Sequence, residues 1–265
     1  MFRRPALLIS ASLLMGCKAP PEAPEAFSEL CAYLFEHQWD EDQEALVVGL
    51  EQLATWLDEE WDQEEEDNGF EVTALSEEAM DALDDQDRTA VNMVGLALPS
   101  VSEHPVEDAT YALVAVDQDV VFPGTFTEYE RTYHSGPDCF VDRSCLRMEA
   151  EEHMSSSFAG GLAKSESHSF NQYVWAETVD GWAMVHRNWQ VEPPEVNLGW
   201  LEVDEQTYLN AFVPRTGGAW RLQAQWTVYD PNNNVPENSA KATIINYFQG
   251  SHEDLEDWLE ENDVP

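Results

Sequence analysis

The chain has 265 residues, 43% of them apolar and 11% aromatic, enough for a sizeable core and too apolar for global disorder. Its 53 acidic residues face only 12 basic ones, for a formal net charge of −41. Such a field repels a nucleic-acid backbone, so nucleic-acid binding is excluded, and it reads as a solvated surface suited to a salty or cation-rich exterior.

At the amino end, Arg3 and Arg4 precede an apolar run from Ala6 to Leu14 that is far too short to span a bilayer. Leu14-Met15-Gly16-Cys17 follows and resembles the bacterial lipobox, in which small residues precede an acylated cysteine. The resemblance implies a signal peptide over residues 1–16, lipidation of Cys17 with diacylglyceryl and palmitate-type chains, and a membrane as the first partner. Two or more acyl chains anchor a protein almost permanently. Lys18 stands where inner-membrane retention typically has Asp, which favours the outer membrane of a bacterial envelope. Losing residues 1–16 takes the formal net charge from −41 to −43. The remainder of segment 17–26 is a Pro-rich tether.

Residues 27–87 read as an acidic helical segment. Apolar residues at helical spacing (Leu30, Leu34; Leu46, Leu50, Leu53, Trp56 or Leu57, Trp61) predict two helices broken near Trp39–Gln43, with Ser28 as a plausible cap. A short helix follows over Ser76–Leu83, capped by Ser76. The second part, 88–265, changes character. Val91–Val101 reads as a strand, and a helix opens at Pro105 and runs towards Val121. From Thr125 to Asp230 strand signals succeed one another, with a hairpin turn at Asp180-Gly181. Between Ala219 and Tyr229, Trp220, Leu222, Ala224, Trp226 and Val228 face one way and Arg221, Gln223, Gln225 and Thr227 the other, the pattern of a half-buried antiparallel strand. A helix from about Glu237 to Glu261 ends the chain, with a break expected near Gly250-Ser251.

Export places the cysteines in an oxidising compartment. Cys139 and Cys145, six apart in a turn-rich stretch, are expected to form a small-loop disulfide, and Cys31 a buried thiol.

The order strand, helix, antiparallel strands, long final helix resembles the START-like helix-grip (SRPBCC) superfamily. The residues that carry it are Trp226-Thr227-Val228-Tyr229-Asp230-Pro231, Val235-Pro236, Thr243-Ile244-Ile245-Asn246 and the helix entry His104-Pro105-Val106-Glu107-Asp108. Asn232–Asn234 stand where the family has a glycine. The resemblance implies an α+β fold in which a curved antiparallel sheet wraps around the C-terminal helix. The competing reading is a lipocalin-like barrel. It also implies a cavity for a lipid or other apolar molecule, lined by Val185, Trp189, Tyr208, Phe212, Trp226, Ile244, Tyr247 and Phe248. Arg187 alternates with Val185 and Trp189, so it needs an acidic partner or a ligand headgroup if that face is buried.

Catalytic patterns are missing. Gly-x-Ser-x-Gly, His-Glu-x-x-His and the phosphate-loop spacing do not occur, and Gly160-Gly161 before Lys164-Ser165 lacks the leading glycine. Asp40, Asp42, Glu44 and Glu51 fall at calcium-loop positions, but Ala45 replaces the required glycine. The seven histidines form no local ligand pair, and no cysteine has zinc spacing, so no metal and no cofactor are expected. The reading is a non-catalytic, lipid-anchored envelope protein with a ligand-binding domain. The alternative is a structural or interaction lipoprotein whose acidic surface meets a protein partner.

Overall fold

The computed structural model describes residues 21–62, 68–84, 86, 88–123, 125–158, 163–197, 203–229 and 237–264. The lipobox with Cys17, the Asp230-Pro231 and Val235-Pro236 steps and Gly160-Gly161 lie outside the described residues. Among the described residues no helix is long and apolar enough to cross a membrane.

The sheet contains β1 (Phe70–Val72), β2 (Val94–Ser102), β3 (Phe126–Tyr133), β4 (Arg147–Phe158), β5 (Ala163–Thr178), β6 (Gly181–Gln190), β7 (Glu195–Val196), β8 (Val203–Arg215) and β9 (Gly218–Tyr229). Its order is β1-β2-β9-β8-β6-β5-β4-β3, with β7 added to β5, and every ladder between these strands is antiparallel. The sheet is open, not a closed barrel. Between β2 and β3 lie α4 (Val106–Ala115) and α5 (Gln118–Val121); the final helix, α7 (Glu237–Glu261), returns to one side of the sheet. This is the α+β helix-grip arrangement the sequence resembles.

The helical segment ahead of β2 is bonded into this architecture. α1 (Phe27–His37) and α2 (Glu44–Glu59) are separated where the apolar spacing lapses, and β1 adds a strand to the free edge of β2. Leu30, Leu34, Phe35, Leu46, Leu50 and Leu53 pack in one core with Val174, Val185, Leu209, Leu222, Ala224 and Trp226 of the sheet. Phe27 stacks on Trp56 at 4.1 Å, and Phe35 meets Trp226 edge-on at 5.3 Å. A Cβ on Gly95 would come within 2.7 Å of the Trp226 ring and of Val72, so only glycine admits that ring.

The other side carries a second core. Val106, Ala109, Leu113 and Phe122 pack with Tyr173, Trp175, Met184, Phe212, Leu255 and Leu259. Ile244, Ile245 and Phe248 of α7 lie on Leu96 and Leu98. The sheet is therefore a middle layer, covered by α1 and α2 on one face and by α4, α5 and α7 on the other. That corrects the half-buried reading of β9: Ala219 and Leu222–Val228 are buried on both faces, and Arg221 is 1% exposed.

Local departures have simple causes. Ala26 rather than Ser28 is the N-cap of α1, without a side-chain bond. Ser76 does cap α3 (Glu77–Asp81), its Oγ accepting from Ala79 N at 3.1 Å. The β5–β6 turn is Val179-Asp180, because Thr178 pairs with Gly181. α7 runs through Gly250-Ser251 unbroken. Glycine costs about 1 kcal/mol in a helix, and the docking of Ser251 on the sheet overrides it. Cys139 and Cys145 form the expected disulfide around α6 (Pro137–Val141), and Cys31 is a buried free thiol.

Candidate functional site

Register and alternation decide what the space beneath α7 contains. Ser100 lies opposite Arg221, Leu98 opposite Gln223, Asn210 opposite Gln223 and Asn171 opposite Asn188, so the α7-facing side chains of the central strands are largely polar. The apolar side chains on this side fall in two clusters, Leu96 and Leu98 against Ile244 and Phe248, and Tyr173, Trp175, Met184 and Phe212 against α4 and the end of α7.

Arg221 sits at the centre of this face. Its Nε donates to Asn210 Oδ1 at 3.2 Å and Nη1 to the Ser251 carbonyl at 3.0 Å, while the guanidinium lies 5.4 Å from the Phe212 ring. Gln223 donates from Nε2 to Tyr208 Oη (2.9 Å) and to Ser251 Oγ (2.7 Å). These bonds hold α7 to the sheet at Ser251. They leave Arg221 without a carboxylate in direct contact among the described residues, and burial lowers its pKa from the usual arginine value, with Tyr208, Tyr247 and Glu256 opposing the shift. Beside it, Ser100 Oγ and Gln223 Oε1 are buried with no protein partner. Buried polar atoms seldom stay unmatched, and unmatched ones imply water or a ligand.

Further along the same face, His186 Nε2 lies 2.8 Å from Asn171 Oδ1, and its ring stacks on Tyr173 at 4.3 Å. Burial drives its pKa down to about 3, with Arg131 and Arg221 adding repulsion, so the imidazole is neutral. Arg131 is the compensated cation: Nε donates to Glu152 Oε1 at 2.7 Å, and Nη1 to the Leu113 and Val114 carbonyls at 3.0 and 2.9 Å. Tyr129 Oη also donates to Glu152 Oε1 at 2.7 Å. This group ties β3 and β4 to the end of α4.

The nine residues expected to line one cavity do not meet in one place. Tyr208, Phe212, Ile244 and Phe248 lie on the α7 side, and Tyr247, 42% exposed, stands beside Phe248 at its edge. Val185, Arg187, Trp189 and Trp226 are on the opposite face. The reason is strand period: residues two apart share a face, and neighbouring strands fix which parity that is. Val185 and Trp226 fill solid core under α1, and Trp226 Nε1 donates to the Thr73 carbonyl at 2.8 Å. Among the described residues Arg187 bonds to no carboxylate, and Asp40 acts on it only at longer range. Its Nε and Nη2 donate to Gln172 Oε1 at 3.0 and 2.8 Å and Nη1 to the Phe35 carbonyl at 2.8 Å, while burial lowers its pKa to about 10. Neutral dipoles satisfy it. Trp189 Nε1 donates to Asp84 Oδ2 at 3.0 Å.

Two clefts open on the described residues. One of about 360 Å³ lies on the α1–α2 side of the sheet, among Asp84, Glu149, Glu151, His168, Phe170 and Trp189. Another, of about 560 Å³, lies between the α1–α2 loop (Glu41, Gln43) and Cys145-Leu146-Arg147.

Sequence reasoning missed Arg221, treating it as solvent-facing. The signal was present, since a final helix of such length has to cover one face of the last strand, and that strand's other face was already fully apolar.

No family model matches the chain, and no curated protein does. Several solved structures are similar in outline. A STAR-related lipid transfer protein from Xanthomonas axonopodis is 12% identical, with 65% of this chain and 96% of that one covered and a TM-score of 0.43. A START superfamily protein from Mycobacterium smegmatis is 10% identical over 64% and 97% of the two chains, with a TM-score of 0.39. The major latex-like protein of Panax ginseng is 10% identical over 65% and 99%, also at 0.39. The fold rests on this chain's own strand order and helix placement.

Proposed function

We propose that the chain is a non-catalytic, lipid-anchored protein of the bacterial envelope whose grip domain binds an amphiphile with an acidic head. The observation that supports this is the group beneath α7: a buried arginine with neutral partners only, flanked by the unpartnered Ser100 Oγ and Gln223 Oε1. A carboxylate or phosphate there adds a directly bonded charged partner to the longer-range pull of Glu256 and accepts a bond that Ser100 is free to donate. To admit the apolar part of the ligand, α7 has to part from the sheet where Ile244 and Phe248 pack on Leu96 and Leu98, with exposed Tyr247 at the edge. A purely apolar ligand would leave these polar groups unsatisfied, at roughly 1–3 kcal/mol for each. A STAR-related lipid transfer protein and a START superfamily protein share the fold in outline, and in this reading the domain is tied to the membrane through Cys17, with the outer membrane favoured by Lys18.

The test uses the detergent-solubilised full chain and cis-parinaric acid, a fluorescent fatty acid, against its methyl ester. The acid should bind at least tenfold more tightly than the ester, and Arg221→Gln should close that gap while leaving ester binding unchanged. Equal binding of acid and ester by the parent protein contradicts the reading. For the anchor, intact mass of the amino-terminal peptide should show a diacylated Cys17, and Cys17→Ser should leave the protein unbound to membranes. An unmodified, uncleaved amino terminus contradicts that part.

A further inference from the structure

We propose that Glu151, His153 and His168 form a binding site for a divalent transition metal of the zinc class, on the α1–α2 side of the sheet and separate from the grip. The site is made by register. Antiparallel pairing of β4 and β5 puts His153 directly opposite His168, and their rings stack at 3.9 Å. Glu151 precedes His153 by two residues and so projects from the same face. Its Oε2 lies 3.2 Å from His168 Nε2, and its Oε1 lies 3.0 Å from Nε2 of His134, which follows β3. One donor atom from each of Glu151, His153 and His168 falls within 4.8 Å of the others.

Tetrahedral zinc, with metal–donor distances near 2.0–2.2 Å, needs donor atoms about 3.4 Å apart. Small side-chain rotations close the difference, and His153 is exposed and free to make them. Two borderline imidazole nitrogens beside one hard carboxylate suit zinc, copper or nickel, whereas calcium and magnesium favour all-oxygen shells. Three protein ligands leave a fourth position. Glu151 and His168 also border the 360 Å³ cleft walled by Phe170 and Trp189, so that position opens towards a space where water or an oxygen donor can complete the shell. His134, already bonded to Glu151, serves either as a further ligand or to orient the carboxylate. The strong negative charge of the chain raises the local concentration of cations around it.

The histidines are 15 residues apart along the chain, so no spacing pattern announces the site. The expectation that they form no ligand pair holds only for neighbours in sequence. The experiment is calorimetric titration of the full chain in detergent with zinc chloride, paired with the visible spectrum of the cobalt(II) form. One zinc per chain should bind, the cobalt form should show the intense absorption of low-coordinate nitrogen and oxygen ligation, and excess calcium should displace neither ion. His153→Gln, at an exposed position, should weaken zinc binding at least tenfold and abolish the cobalt band with no change in unfolding temperature. His153→Gln with His168→Gln should remove the site. Zinc binding that survives the double substitution, or that calcium displaces at equal concentration, overturns the proposal.

Discussion

The two faces of the sheet are built from the same strands and held by different physics. Towards α1 and α2, β9 offers Trp220, Leu222, Ala224, Trp226 and Val228 to an interior of leucine, phenylalanine and tryptophan, where burial of apolar area dominates. Towards α7, the same strand offers Arg221, Gln223, Gln225 and Thr227, and each must find a hydrogen-bond partner or pay its full desolvation cost. The contrast teaches that a solid apolar core is no sign of a ligand, whereas a buried polar face with unmatched atoms points to one. Single unmatched atoms such as Gln38 Oε1 and Thr207 Oγ1 occur on the apolar side as well, so what makes the α7 side the better candidate is that its unmatched Ser100 and Gln223 atoms lie beside a buried arginine.

The comparison breaks if the apolar face tolerates lost volume. Trp226→Ala should cost about 3–5 kcal/mol in denaturant unfolding, because the ring packs on Phe35 and Gly95 with no room to collapse. On the polar face, charge pairing should matter as much as volume. Arg131→Met should cost about 3–5 kcal/mol by stranding the buried Glu152 carboxylate, and adding Glu152→Gln should return part of that loss. If the double variant is no more stable than the single one, the ion pair is not what holds β3 and β4 to α4.

A smaller effect separates the faces by pH. The pKa of His186 is about 3 in the folded chain, below its ordinary value of 6.5. The unfolded chain therefore takes up a proton that the folded chain refuses, and stability falls as pH drops from 6.5 towards 3. Between pH 7 and 5 this single group should cost about 2 kcal/mol. His186→Gln should flatten that part of the stability profile when unfolding is followed at both pH values, and an unchanged slope would show that the imidazole is not held neutral. The smallest expected change is at the cap of α3. Ser76→Ala should cost about 1 kcal/mol in the same assay, and no loss would mean that the Ala79 N–H finds water equally well.

Much of this architecture was readable in the chain. The gap between α1 and α2, the β5–β6 hairpin, the disulfide and the final helix follow from local periodicity and turn chemistry, because neighbours in sequence decide them. Period two also sorted β9 correctly into an apolar and a polar side. Periodicity does not tell which layer covers each side, so it groups Val185, Trp189 and Trp226 with α7 residues that pack on the other face, and it leaves Arg221 in solvent. Gly250-Ser251 looked like a helix break because the bonds from Arg221 and Gln223 to Ser251 come from residues some thirty positions away. The Glu151–His153–His168 cluster was invisible for the same reason, since it exists only once β4 and β5 find their register.

The most direct test of the grip as a binding site is native mass spectrometry of the mature protein, extracted from its own membrane in mild detergent. The account expects a stoichiometric adduct beyond the acyl anchor, released under collisional activation as an acidic amphiphile and reduced in Arg221→Gln. A parent protein that carries the anchor mass and nothing else, under conditions that preserve bound fatty acid in a control carrier, would contradict it.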